Sequence, residues 1–302
     1  MKTPLRYPGG KSRAVKTLME FIPDDCGELC SPFLGGGSFE LALAEKGIKV
    51  YGSDIFLPLV WFWQALLADP HKLADECAKF YTGPHQYEYK KVEKLVDSET
   101  GEPLTDPKTG KQRTRTYREK LEAKGLLKND FHILRQELRA AVDNGDRLSF
   151  ENAARFYAIN RSSFSGATFS GGWSMRASHA RFTQSSIDRV RNFREPNISV
   201  ACMDFSKSIP LHSHAFLYLD PPYMLGDLKD KLYGDKGSTH KGFDHIGLYN
   251  LLTQRDRWVM SYNDSPVIRE LYKDYKIVKA AWTYGMNKTK KSSEIIIVGD
   301  KK

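Results

Sequence analysis

The residues best suited to chemistry in this chain stand together in the tetrapeptide Asp220-Pro221-Pro222-Tyr223. It follows an apolar run, Ala215-Phe216-Leu217-Tyr218-Leu219, that reads as a buried strand. An aspartate ending such a strand carries its carboxylate to the sheet edge where α/β proteins bind ligands. Two prolines then fix φ and remove two N–H donors, leaving carbonyls to face a guest amine. An exocyclic amine on an aromatic ring is a poor nucleophile because its lone pair is delocalised. A carboxylate and a carbonyl that accept both of its N–H groups pull the nitrogen toward a tetrahedral form able to attack. Tyr223 adds a stacking face. Such chemistry needs positioning and charge arrangement, and no metal-ligand cluster is visible in the sequence. As plain structure, the same string would be a rigid turn.

A second constellation lies upstream. Phe33-Leu34-Gly35-Gly36-Gly37 follows a short strand predicted over 28–30 and opens a helix predicted over 38–46. Glycines there let the backbone approach a ligand, and the helix N-terminus presents free N–H groups. Asp54 ends the next strand, 17 residues past Gly37. That is roughly where an α/β nucleotide site places the carboxylate that accepts from the ribose hydroxyls. Together these residues predict an adenosine-containing ligand. The GxGxxG of dinucleotide enzymes is absent, which argues against a nicotinamide oxidoreductase.

These residues need a sheet to hold them, and the chain falls into three zones. Up to residue 60, short apolar runs alternate with Gly-rich turns, as in βα units. Residues 61–184 are mostly helical and rich in charge, with turn signals over 97–115 that suggest a hairpin or a loop. Between Lys108 and Lys120 stand six basic residues and one acid, Glu119, which reads as a solvated face or a DNA contact. From 185 the βα texture returns, with strands predicted over 215–219, 258–261 and 294–298. No internal repeat stands out. The expected fold is an α/β doubly wound sheet split by a mainly helical insertion.

Bulk properties agree with a partner of opposite charge. The 302 residues carry a formal net charge of +9, which suits a polyanion such as nucleic acid. Four cysteines, Cys26, Cys30, Cys77 and Cys202, are too scattered for a disulfide framework or a zinc site. The N-terminus lacks the apolar core of a signal peptide, and the apolar stretch 55–67 is too short to span a bilayer. A soluble, cytoplasmic protein without a membrane partner is expected.

The motifs, taken together, resemble those of the Dam-like adenine-N6-specific DNA methyltransferases. Phe33-x-Gly35-x-Gly37 resembles their cofactor motif, and Leu5-Arg6-Tyr7-Pro8-Gly9-Gly10-Lys11 resembles the segment ahead of it. The resemblance implies S-adenosylmethionine as cofactor, with Tyr7 and Lys11 at its methionine end and Asp54 at its ribose. Asp204-Phe205 is similar to the pair that flanks the cofactor's adenine. Asp220 to Tyr223 is then the catalytic motif, and the order of cofactor motif, insertion and DPPY matches the family's alpha ordering. The implied fold is a Rossmann-like methyltransferase sheet, 1–60 and 185–302, around a DNA-recognition domain, 61–184. Ser261-Tyr262-Asn263-Asp264 and the strand from Glu294 extend the likeness over nearly the whole chain.

The implied reaction is methyl transfer to adenine N6 in double-stranded DNA, by in-line displacement on a base flipped from the helix. Asn160-Arg161-Ser162-Ser163-Phe164-Ser165-Gly166 resembles the start of the family's recognition hairpin, in which the Arg grips phosphate and the aromatic wedges into the stack. GATC-specific members continue with Asn-Gly-Leu-x-Arg. Here Phe169 stands where the guanine-reading Arg would be, which speaks against GATC and leaves Arg176 as a candidate reader. N4-cytosine methylation poses the same chemical problem and stands as an alternative, although a leading Asp favours adenine. A catalytically silent DNA-binding module is the alternative from another class. The family commonly acts as a monomer in bacterial cytoplasm, encoded by host or phage, and a cognate restriction enzyme is a candidate partner.

Overall fold

A computed structural model describes residues 2–195, 197–223, 243–280 and 294–301. The strands are β1 (Glu28–Ser31), β2 (Lys49–Asp54), β3 (Thr82–Lys94), β4 (Thr114–Gly125), β5 (Ile198–Cys202), β6 (Phe216–Leu219), β7 (Trp258–Asn263), β8 (Tyr275–Lys279) and β9 (Glu294–Lys301). The helices are α1 (Val15–Met19), α2 (Ser38–Ala44), α3 (Leu57–Ala68), α4 (Pro70–Lys79), α5 (Lys128–Asp143), α6 (Phe150–Ser162), α7 (Met175–Arg181), α8 (Gln184–Arg191), α9 (Phe205–Leu211), α10 (His245–Leu252) and α11 (Pro266–Leu271).

Seven strands form one sheet in the order β5-β2-β1-β6-β7-β9-β8. All neighbouring pairs are parallel except those of β9, which runs antiparallel between β7 and β8. The central strands β6 and β7 are buried along their whole length, as strands of a sheet covered on both faces are. From β1 the chain builds outward to β2 and β5, then returns to β6 and builds the other way. The order therefore reverses between β1 and β6. A crevice opens at such a switch point, at the carboxyl ends of the two strands. The Gly-rich turn follows β1 and Asp220 follows β6, so the topology delivers both motifs to one place.

The insertion differs from the expected separate helical unit. The boundary at residue 61 falls inside α3, a helix buried on nearly every side through Leu59, Val60, Trp61, Phe62, Trp63, Ala65 and Leu66. One face of α3 meets the sheet and another meets α6, where Phe62 stacks on Tyr157 at 5.3 Å. Leu29, Val50, Tyr218 and Val259 of the sheet share one apolar core with Phe131 and Phe156 of the inserted helices. A helix that is apolar all round belongs in the middle of a core.

Between α4 and α5 stands a two-stranded antiparallel ribbon, β3 with β4, where a hairpin or loop was expected over 97–115 alone. Although no internal repeat stands out in the sequence as a whole, the tip holds a short tandem one. Leu95-Val96-Asp97-Ser98-Glu99-Thr100-Gly101-Glu102 is followed by Leu104-Thr105-Asp106-Pro107-Lys108-Thr109-Gly110-Lys111. Both copies fold into the same turn. Asp97 Oδ1 accepts from the N–H of Glu99 and Thr100, and Asp106 Oδ1 accepts from those of Lys108 and Thr109. Gly101 and Gly110 take φ of +72° and +66°, where a glycine is favoured. Among the described residues, no helix is long and apolar enough to cross a membrane.

Candidate active site

Asp220 leaves β6 with its carboxylate surrounded by side-chain donors. The Lys11 ammonium is 2.8 Å from Oδ1. The Tyr223 hydroxyl lies 3.0 Å from the same oxygen, and the Ser261 hydroxyl donates to it at 3.0 Å. Ser261 is close because β7 pairs beside β6, with Leu219 opposite Met260. Glu294 completes the group: its Oε1 is 2.8 Å from the Tyr223 hydroxyl and 3.7 Å from Lys11 Nζ. As the first residue of the antiparallel strand β9, Glu294 lies at the edge where the parallel strands end. Lys11 also donates to the Gly9 carbonyl at 3.3 Å and meets the Tyr223 hydroxyl at 2.7 Å.

The electrostatics follow from burial. Desolvation alone would depress the Lys11 ammonium, but Asp220 and Glu294 outweigh it and hold the group above its ordinary range. Burial, then Asp220 and Glu294, push the Tyr223 hydroxyl well up, so it stays a neutral donor. Tyr262 stacks on Tyr223 at 5.6 Å and 23°. Below them Glu40 is buried and accepts from the Ser31 hydroxyl at 2.7 Å. The buried Tyr218 hydroxyl finds no hydrogen-bond partner among the described residues.

At the other end of the same crevice, Asp54 is held by backbone. Oδ2 accepts the Gly35 N–H at 3.0 Å and Oδ1 accepts the Phe56 N–H at 2.9 Å. Burial raises its carboxyl, and these N–H bonds oppose the shift. The glycine turn serves the protein's own rings: a Cβ on Gly35 would stand 2.9 Å from Tyr7 Cε1, and one on Gly37 2.7 Å from Trp63 Cζ2. Gly37 caps α2 with φ of +62°. Phe33, Phe205 and Phe243 form an aromatic cluster with centroids 5.3–5.7 Å apart. Asp204 caps α9 by accepting the Ser206 N–H. Asp54, the glycine turn, the three phenylalanines and Asp204, with Tyr7, Lys11, Asp220, Pro221, Pro222 and Tyr223, line one pocket.

The structure thus brings the expected catalytic and cofactor residues together. Lys11, expected at the methionine end of a cofactor, has its ammonium turned toward Asp220 and Glu294. Glu40, Tyr218, Phe243, Ser261 and Glu294 carry no site role in the sequence expectations; Ser261 and Glu294 have a signal there, as the last and first residues of the strands predicted over 258–261 and 294–298.

The recognition residues divide. Phe164 is 60% exposed, and Arg176 is exposed in the first turn of α7. Asn160 is fully buried: its amide donates to the carbonyls of Arg6 and Gly166 and accepts the Arg6 N–H. Arg161, expected to grip phosphate, is instead an internal strut. It is 8% exposed and donates to the carbonyls of Arg181 and Pro4. Ser165 is buried too, with φ of +58°. These residues close a loop over 162–174, through the bonds Phe164 N to Gly172 O and Ser174 N to Ser162 O. Near Arg161 lie Arg6 and Arg181; burial first, then the like charges of Arg181 and Arg161, lower the Arg6 guanidinium.

Comparison with known proteins adds two findings. The Type II methyltransferase M.CviBI of Paramecium bursaria Chlorella virus NC1A is 22% identical over 284 residues, covering 91% of this chain and 88% of the viral protein. The family model of the D12 class N6 adenine-specific DNA methyltransferases matches residues 7–286, and the chain belongs to that family and methylates adenine in DNA.

Proposed function

We propose that the methyl donor is S-adenosylmethionine and that the target adenine is flipped out of duplex DNA into the pocket beside Asp220. The donor set fits such a cofactor: three phenyl rings suit a purine, Asp54 suits ribose hydroxyls, and the unpartnered Tyr218 hydroxyl is free to meet a polar group. Phe33, Gly35, Gly37, Asp54, Asp204, Phe205 and Tyr7 would hold it. Bound there, it supplies a methyl group activated by its sulfonium charge. The chain's own part is to grip the amine. Asp220 and the Pro221 carbonyl accept the two N6 hydrogens, Tyr223 stacks on the base, and Pro222 fixes the turn. As the new N–C bond forms, the surplus N6 proton leaves through Asp220. Lys11 holds Asp220 aimed through its 2.8 Å ion pair, in place of the methionine-end role expected of it. The carrying observation is that Lys11, Tyr223 and Ser261 all meet Oδ1 of Asp220, which leaves Oδ2 for the substrate.

For the DNA we infer that residues 61–184 supply recognition while sharing the catalytic core. Phe164 is the wedge at the flipped base, with Asn160 and Ser165 shaping its loop, and Arg176 is the base reader. Arg6 and Arg181 take over phosphate contact from the buried Arg161. Phe169 is buried under the Arg139 guanidinium at 5.1 Å, which supports a target other than GATC. We take the protein to be a cytoplasmic monomer, in keeping with its four free thiols. The Type II designation of the viral relative supports a search for a cognate restriction enzyme.

The test is transfer from labelled S-adenosylmethionine to DNA, followed by digestion to nucleosides. N6-methyladenine is expected. Asp220→Ala should abolish transfer while still binding the cofactor in a calorimetric titration. Transfer by that variant at the wild-type rate would overturn the mechanism.

A further inference from the structure

The ribbon tip is a fork. Three chain passes meet there in a closed ring of backbone bonds: Leu95 N to Arg113 O at 2.9 Å, Leu104 N to Leu95 O at 3.0 Å, and Arg113 N to Leu104 O at 2.7 Å. From this ring the two copies of the repeat project as separate turns. Their frames match, including the Asp–Thr–Gly geometry, but their charges are opposed. Residues 97–105 carry a net −3, from Asp97, Glu99 and Glu102. Residues 106–115 carry a net +3, with Lys108, Lys111, Arg113 and Arg115 against Asp106, and all four cations are exposed. Because Glu and Lys occupy equivalent positions in one frame, the charge is not something the turn itself requires.

The root of the ribbon is fixed to the recognition segment. Leu126 donates to the Ser178 hydroxyl at 2.7 Å and accepts from it at 2.8 Å, and Trp173 Nε1 donates to the Leu126 carbonyl. Gly125, at φ of +103°, passes so close that a Cβ would lie 2.6 Å from the Ser178 carbonyl. The arm therefore leaves the molecule beside the loop that carries Phe164 and the helix α7 that carries Arg176. Its first strand has 13 residues, a reach of about 40 Å at about 3.4 Å per residue, which exceeds one turn of duplex.

We propose that the basic prong is a phosphate-binding finger that holds duplex DNA flanking the target, while the acidic prong faces away from the backbone and sets the orientation of the fork. This rests on the reading of the protein as a duplex-DNA methyltransferase. A basic surface neutralising phosphates makes binding salt-dependent by about 0.9 logarithmic units per contact.

The test is the salt dependence of binding to random-sequence duplexes, one several helical turns long and one of about 10 bp, a single turn. K108E/K111E gives the turn over 104–111 the same charges as the turn over 95–102, whose frame already carries Glu at those positions, and leaves Arg113 and Arg115 in place; cofactor titration and a melting curve report its folding. On the long duplex the salt slope should shrink by about 1.8 for two lost contacts, with no change on the short one. E99K/E102K should leave the slope unchanged; a steeper slope there would overturn the orientation. An unchanged slope in K108E/K111E overturns the finger, and if that variant instead alters sedimentation of the free protein, the fork pairs with a second copy. A wild-type protein that binds no duplex at all would be a failure of the functional reading, separable from these outcomes.

Discussion

The two ends of the pocket each hold a carboxylate, and they hold it by different means. Asp54 is bound by main-chain N–H groups, one of them only two residues away. Asp220 is bound by side chains from the N-terminal segment, from β7 and from its own tetrapeptide, with Glu294 of β9 behind them. Main-chain donors survive any substitution that preserves the turn. Side-chain donors come from distant parts of the sequence, and each can be removed singly. The Asp54 end is thus a product of local geometry, and the Asp220 end is a product of the assembled fold. The catalytic end should be the more fragile one.

The strongest way to break this contrast is Lys11→Met. The ammonium is the one cation placed between Asp220 and Glu294 among the described residues, and its side chain is only 5% exposed. Its loss leaves the buried Glu294 and the partly buried Asp220 without their cation, a change worth about 3–5 kcal/mol of stability. Asp220 should also lose its aim, lowering single-turnover transfer at least about a hundredfold. Denaturant midpoints and rapid-quench rates measure the two effects. A destabilised variant with an unaltered rate per folded molecule would mean that Tyr223 and Ser261 suffice to hold Asp220.

A smaller effect is expected at the other end from Gly35→Ala. The φ of +49° costs an L-residue about 1–2 kcal/mol, and the new Cβ would press on Tyr7 at 2.9 Å. Affinity for S-adenosylmethionine should fall about tenfold, equivalent to about 1.4 kcal/mol. The rate at saturating cofactor should stay near that of the wild type, because Asp54 keeps its bond to Phe56 and Asp220 is untouched. Calorimetry and saturation kinetics separate these quantities. An equal loss of rate would show that the two ends are coupled through Tyr7.

The same contrast explains what could be read from the sequence. The buried strand before Asp220, the glycine turn and Asp54 at a strand end are local patterns, and each is found where its pattern put it. That Ser261 and Glu294 gather around Asp220 was not legible, because Ser261 arrives by strand register and Glu294 by the reversed direction of β9. Arg161 shows another limit: residue type suggests a phosphate ligand, whereas burial under the Pro4 and Arg181 carbonyls makes it a strut. Residue 61 falls inside α3, which is apolar on nearly all sides and so gives no periodic signal of where a helix starts. The tandem turns were hidden by their charges, since Glu99 aligns with Lys108 and Glu102 with Lys111.

Glu40 offers the mildest test, read in stability against pH. It is 3% exposed beneath the Asp220 end, and burial, assisted by the nearby Asp220 charge, pushes its carboxyl up to about 7 against the bond from Ser31. Its folded-state value therefore lies above that of the unfolded chain. Between the ordinary carboxylate range and about 7, the native state holds a proton that the unfolded state has released. Stability from this group is complete at acid pH and declines as pH rises through that window. Glu40→Gln keeps an oxygen for the Ser31 hydroxyl and removes the titration. Unfolding curves of the variant should lack this decline, so that its stability relative to the wild type grows from pH 5 to pH 8. Parallel curves for the two proteins would show that Glu40 is ionised in the native state throughout, with the Lys11 charge reaching further than the immediate partners of Asp220.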